Sequence, residues 1–215
     1  MTLRVLLAHP QVVVVDKPAG VPVIPGRDGG DCVRAQLEAQ LGRSVWVVHR
    51  LDRDTTGALA FALDADTHRA LNGAFEHGEV GKSYLALVEG VLASSVTVER
   101  GLVKIRGGKV RLARPGEQGL ASRTDFTPVE ALRGATLVRA VPHTGRTHQI
   151  RVHLASLGHP LLVDHQYGHR EPRFGLARTP LHASTLSLPL GGVRLEVEAP
   201  LPGDLAEALA TLRQA

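Results

Sequence analysis

Within eight positions, His49 to Thr56, the chain VWVVHRLDRDTTGALAF carries two carboxylates, two guanidiniums, an imidazole and two hydroxyls. A carboxylate in such company can serve as acid, base or nucleophile. A guanidinium beside it can keep it ionised. The same composition also describes a solvated hairpin tip, because most charge clusters are hydrated surface. What favours chemistry is the setting. Val45–Val48 and Ala58–Leu63 are short apolar runs that read as strands, with Gly57 marking the return into the second. A charged loop anchored at both ends by buried strands holds its side chains on a rigid scaffold.

The loop HRLDRDTTG resembles the HRLDxxTSG signature of the RluA-type pseudouridine synthases. Four further stretches resemble that family in the same order: VVVVDKPAGVPV, KSYLALVEG, TGRTHQIRVHLASLGHPLLVDHQYG and TPLHASTLSL, so that the likeness spans residues 11 to 190. Thr56 departs from the family's serine, and Val163 from the glycine that commonly precedes the aspartate matched by Asp164. The resemblance implies that Asp52 is catalytic, that Arg151 pairs with it, and that Tyr84 lines a uridine pocket. It also implies substrate or RNA contacts for His49, Arg50, Thr56, Lys82, Arg146 and His148, with Arg50 entering the RNA as the target uridine is flipped out. No cofactor is implied. The fold it implies is α+β, a largely antiparallel mixed sheet with flanking helices.

Around these residues the periodicity supplies a scaffold. Val12–Val15 is a β-branched strand closed by Asp16-Lys17-Pro18-Ala19-Gly20, and on this reading the first strand begins near residue 11. Cys32–Leu41 reads as a helix capped by Asp31 and stopped by Gly42, and Asp66–His77 as a second capped by Thr67 or Asp66. Lys82–Val88 alternates as a strand with Lys82 and Tyr84 on one face. Strands follow at Val96–Val98, Leu102–Ile105, Ser122–Leu132 and Ala135–Val141; between them, RGGKVRLARPGEQG reads as a basic, mobile surface arm. Ile150, Leu154 and Leu157 place a helix after an expected Thr147 cap, with His148 and Arg151 sharing a side away from that apolar stripe. A strand from Leu181, a turn at Pro189–Gly192, a return strand over Val193–Val197 and a helix over Pro202–Gln214 complete the chain.

Composition narrows the class. The chain has 215 residues and is 43% hydrophobic, enough for one globular domain spanning 1–215. No linker divides it, and with a first strand near residue 11 the S4 domain that many relatives carry is not expected here. It has no apolar run of membrane-spanning length and no secretory pattern at the start, so a cytoplasmic monomer is expected. Cys32, the lone cysteine, permits no internal disulfide. A net charge of +4 favours a polyanionic partner, RNA on this reading. With aromatics at 3%, serial base stacking cannot be the main grip. His143, His148 and His153 suggest a metal-assisted hydrolase, but five-residue spacing turns helical side chains about 140° apart, so no metal is expected. The other rival is a non-catalytic RNA-binding or ribosome-assembly factor, which need not keep both Asp52 and Arg151.

Overall fold

The structure is a computed structural model that describes residues 2–26 and 29–214. It is an α+β chain whose strands are mostly antiparallel. The backbone sorts into two compact units, each built from two stretches: Met1–Lys82 with His182–Leu201, and Ser83–Leu181 with Pro202–Ala215.

In the first unit the order of strands is β1 (Arg4–Ala8), β2 (Val12–Lys17), β4 (Thr56–Ala62) and β11 (Leu181–Leu190). The two-residue β3 (Trp46–Val47) pairs with β4, and β12 (Val193–Glu198) pairs with β11. The first strand therefore precedes residue 11. Its residues are exposed or half-buried, so RVLLA lacks the alternation that marks a strand with one buried face. All seven residues of β4 are buried. Its small Ala58, Ala60 and Ala62 share a core with Val12, Val14, Leu71, Leu186 and Leu188. Leu71 is fully buried there, and its truncation to alanine would cost about 2–5 kcal/mol. Pairing between β4 and β11 is parallel, His182 opposite Thr56 and Ala183 opposite Gly57. At that crossing a Cβ on Gly57 would lie 2.2 Å from the Ala183 carbonyl oxygen, and Gly57 has φ +110°; only glycine fits.

Two helices complete this unit. The first, α1 (Val33–Leu41), is capped by the Cys32 thiol, not by Asp31, which instead accepts from the Gln36 amide. The second, α2 (Ala65–Glu76), is capped by Asp64, which accepts from both the backbone and the hydroxyl of Thr67. The expected caps, Asp31 on one side and Asp66 or Thr67 on the other, miss by a few residues because capping needs extended backbone at the cap itself, and Cys32 and Asp64 have it.

In the second unit β5 (Gly81–Glu89), β10 (Ala135–Pro142), β9 (Arg123–Leu132) and β6 (Val96–Glu99) run in that order, antiparallel throughout. The helix α3 (Gln149–Ser156) places Ile150 and Leu154 on Phe126, Val138 and Ala140. A final helix, α4 (Gly203–Gln214), packs Ala208, Leu209 and Leu212 on Leu87, Leu137 and Val163. The expected Thr147 cap of α3 is corrected to His148, which sits in left-handed backbone with φ +54°. The basic arm is also more ordered than expected. A ribbon of β7 (Leu102–Lys104) and β8 (Val110–Leu112) buries Leu102 and Val110 with Val152 of α3, and only its tip and return are exposed.

Candidate active site

In the first unit the HRLDRDTTG loop connects β3 to β4 and turns through a bond from the Thr55 amide to the Asp52 carbonyl (3.2 Å). Its backbone is gripped from below. Lys17, the last residue of β2, is fully buried, and its ammonium donates to the carbonyls of Pro18 (2.8 Å), Arg53 (2.7 Å) and Thr55 (2.9 Å). A buried ammonium requires such acceptors, because the loss of hydration would otherwise expel it. The loop's ends are pinned as well. His49 accepts the Ala60 amide on Nε2 (2.9 Å) and stacks on Phe75 of α2 at 4.8 Å. Burial, with the nearby Lys82 charge, pushes its pKa down to about 3, so the ring is neutral with its proton on Nδ1. At the other end the Thr56 hydroxyl bonds His182 Nδ1 (2.9 Å), while His182 Nε2 faces the Ala199 carbonyl (3.3 Å).

Asp52 itself is half-buried and Arg50 is exposed. Among the described residues, no ion pair or hydrogen bond engages the Arg50 side chain. Lys82 is half-buried near the Phe75 ring (5.8 Å), and burial lowers its pKa. His49 and Thr56 thus hold the loop from inside.

In the second unit α3 presents the other group. Arg151 is buried and lays a two-pronged donor pair on Asp164, Nε to Oδ2 and Nη2 to Oδ1, both 2.8 Å. Asp164 also accepts the amides of Gln166 (2.9 Å) and Tyr167 (3.2 Å). Burial works to raise the Asp164 pKa, but the Arg151 bonds and charge and the two amides outweigh it, so the carboxyl titrates below its ordinary value. The Tyr167 ring lies 5.1 Å from the Arg151 guanidinium. Its hydroxyl accepts the Val110 amide (2.9 Å) and shares a hydrogen bond with His148 Nδ1 (2.9 Å). His148 and Arg151 do share a side, as the spacing predicts, but that side is filled by Tyr167 and Asp164.

The loop before α3 is fixed by a polar network. Buried Gln149 accepts from the Thr144 hydroxyl (2.7 Å) and the Arg146 amide (3.0 Å), and donates to the Arg123 carbonyl and the Thr124 hydroxyl (both 2.9 Å). Below it, buried His153 bridges Ser122 (2.9 Å) and Thr124 (3.0 Å). Because Ser122 already donates to the Arg100 carbonyl, it must accept from His153 Nε2. Thr124 then donates to Nδ1. Burial pushes the pKa of this neutral ring down to about 4, against a smaller opposing effect from the Arg100 carbonyl. Arg146 is left exposed, its Nε on the Ala121 carbonyl (3.2 Å). Tyr84 is half-buried on β5 and packs on the cluster that holds Phe126, Ile150 and Leu154.

His148 and His153 are engaged in these bonds and His143 Nε2 lies on Asp125 (2.5 Å), and among the described residues no group of three His, Cys, Asp or Glu side chains is arranged to hold a metal ion. Sequence reasoning missed Lys17, Gln149 and Tyr167 as organising residues. Lysine at the end of four buried valines was the available signal for the first, and Asp-x-x-Tyr-Gly, an Asx-turn pattern, for the last.

The profile of the RNA pseudouridylate synthase family matches residues 11–156, more than half of the chain. The ribosomal large subunit pseudouridine synthase C of Salmonella typhimurium is 38% identical over 98% of this chain and 70% of its own length. An uncharacterized RNA pseudouridine synthase of Zymomonas mobilis is 36% identical, over 93% of this chain and 94% of its own. Among solved structures, human RNA pseudouridylate synthase domain containing 4 superposes with TM-score 0.81 at 26% identity, covering 98% of this chain and 93% of that one. Human RNA pseudouridylate synthase domain containing 1 superposes with TM-score 0.76 at 28% identity, covering 100% and 96%. The matched stretch includes both the Asp52 loop and Arg151, and the chain belongs to the RluA-type RNA pseudouridylate synthases, isomerases that act on RNA.

Proposed function

We propose that this chain converts specific uridines to pseudouridine in structured ribosomal or transfer RNA, in the cytoplasm and as a monomer, with Asp52 as the catalytic carboxylate. The reaction breaks the N1–C1′ bond, turns the uracil and forms a C5–C1′ bond; C5 loses a proton and N1 gains one. It is redox-neutral and needs a placed anion, with no cofactor or metal. One observation carries the reading. A half-buried carboxylate stands on a loop whose backbone a buried ammonium holds at two carbonyls, those of Arg53 and Thr55, which is the preorganisation a carboxylate catalyst requires. The family resemblance adds Arg151 as charge partner and Tyr84 as a wall of the uridine pocket. Asp164 and Tyr167 support the first by fixing the guanidinium's orientation. Because the family match runs through both compact units, they are read as one catalytic domain.

Mapping pseudouridines in total RNA with and without the gene, by carbodiimide labelling and primer extension, tests the activity and identifies the site. Loss of one or more modified uridines on deletion, restored by the wild-type gene and not by Asp52→Asn, is expected. Restoration by Asp52→Asn would leave an RNA-binding or assembly role in place of catalysis.

A further inference from the structure

The charge of this protein is concentrated in one element. Residues 100–117 carry six cations, Arg100, Lys104, Arg106, Lys109, Arg111 and Arg114, and one carboxylate, Glu117. That is a net +5 in a chain of net +4, so the remainder is slightly acidic. Glu117 is spent within the element. It takes two prongs from Arg111 (2.6 and 2.8 Å) and the Arg114 amide (2.9 Å), which pushes its pKa down to about 2, chiefly through the Arg111 bond. Lys104, Arg106, Lys109 and Arg114 are exposed, and none of them makes an ion pair among the described residues.

The element is also built to hold those cations in place. Leu102 and Val110 are buried against Val152, Leu102 and Leu120 exchange backbone bonds (2.9 Å each), and the Val110 amide is hooked on the Tyr167 hydroxyl (2.9 Å). At the far end the Ile105 amide bonds the Lys109 carbonyl (2.9 Å), closing a tip that contains Gly107 and Gly108. Like charges gathered at a tip repel, and in the absence of a partner they add nothing to stability. A polyanion offsets that repulsion. Residues 100–117 contain no aromatic side chain, so the element has no platform for stacking bases. What suits it is the regularly spaced phosphate of an RNA backbone.

We infer that the β7–β8 ribbon is a phosphate-binding arm that grips the backbone of the RNA substrate with Lys104, Arg106 and Lys109. This rests on the reading of the protein as an RNA-modifying enzyme and specifies where most of its electrostatic affinity lies. The arm supplies sequence-independent affinity; it does not choose the uridine.

The test uses the full chain and a fluorescein-labelled RNA stem–loop with uridines in its loop, with affinity measured by anisotropy from about 50 to 200 mM KCl. For Lys104→Gln/Arg106→Gln/Lys109→Gln, the slope of log affinity against log salt should become shallower by about 2 to 3, since each phosphate that is no longer neutralised removes about 0.7–0.9 from it. A control that removes the same charge elsewhere, Arg34→Gln/Arg69→Gln/Arg213→Gln, should keep the wild-type slope. Equal slopes for wild type and the tip variant, or an equal change in the control, would overturn the arm. Pseudouridine formation in the same RNA preparation is scored separately. Turnover with no slope change sinks the arm alone, whereas a slope change with no turnover by the wild type sinks catalysis and keeps the arm.

Discussion

The Asp52 loop and the Arg151 cluster are fixed in opposite ways. Lys17 holds the loop through the backbone carbonyls of Arg53 and Thr55, a grip that calls on no side chain of the loop. Arg151 is held by its own side chain, locked to a buried carboxylate that is itself committed to two amides. The first arrangement separates chemistry from stability and the second fuses them. Substitutions at the first site should therefore report on turnover, and those at the second on folding as well.

The largest effect expected is for Asp52→Asn, with turnover lost by more than about 10³-fold, the upper range for removing one acid–base group. Its urea stability should stay within about 0.5 kcal/mol of wild type. A stability loss as large as that of a core truncation would break the contrast. Next comes Arg151→Met, which strands Asp164 as a buried, uncompensated charge and should cost about 3–5 kcal/mol in urea unfolding. Arg151→Lys keeps the charge but loses the two-pronged geometry, so it should fall between wild type and Arg151→Met in both stability and rate.

A third prediction concerns pH. The His153 ring titrates near 4 when folded and near 6.5 when unfolded, so between those values the unfolded chain binds the extra proton. Stability should therefore fall as pH drops through 6.5 and level off for this group below 4. From neutral to about pH 4.5 its share is on the order of 2–3 kcal/mol, and His49 adds to the loss in the same direction. In His153→Gln the urea midpoint should change less steeply with pH; an unchanged dependence would mean that another group dominates.

Lys17→Met should be milder, about 1–3 kcal/mol in stability. It should also lower turnover about 10–100-fold, by an amount that does not depend on RNA structure, because the loop loses its floor while Asp52 remains. The smallest and most selective effect is expected for Arg50→Ala. It should slow modification of a structured RNA several-fold more than that of a short unstructured oligonucleotide carrying the same uridine, since only the former must be unstacked. Equal slowing would make Arg50 a brace of the loop.

Much of this was legible in the sequence, for identifiable reasons. The four buried valines of β2 and the fully buried β4 announce themselves because strands covered on both faces are continuously apolar. The turn after β11 is marked by Gly191-Gly192, both with positive φ. β1 escaped because an exposed edge strand owes its existence to the partner it pairs with, not to its own pattern. The grip of Lys17 and the Arg151–Asp164 pair escaped for another reason. The first spans 36 to 38 residues to reach carbonyls that every residue possesses, and the second joins a helix to a loop 13 residues on. Neither separation leaves a periodicity, and the buried face of α3 could not reveal that its charged residue had a carboxylate waiting.

The grip on carbonyls has a consequence for how this loop can change. A carbonyl oxygen is indifferent to the side chain on the same residue, so what stands at position 53 is independent of the bond that Lys17 makes there. Arg53 points its exposed guanidinium at the Gly20 carbonyl, a contact that can be exchanged for another without moving the loop beneath it. The solvent-facing lettering of the loop is thus written on a frame that does not read it. A library varied at positions 50 and 53 over an untouched Lys17 should consist mostly of folded proteins, and could be sorted for altered RNA preference without first being rescued for stability.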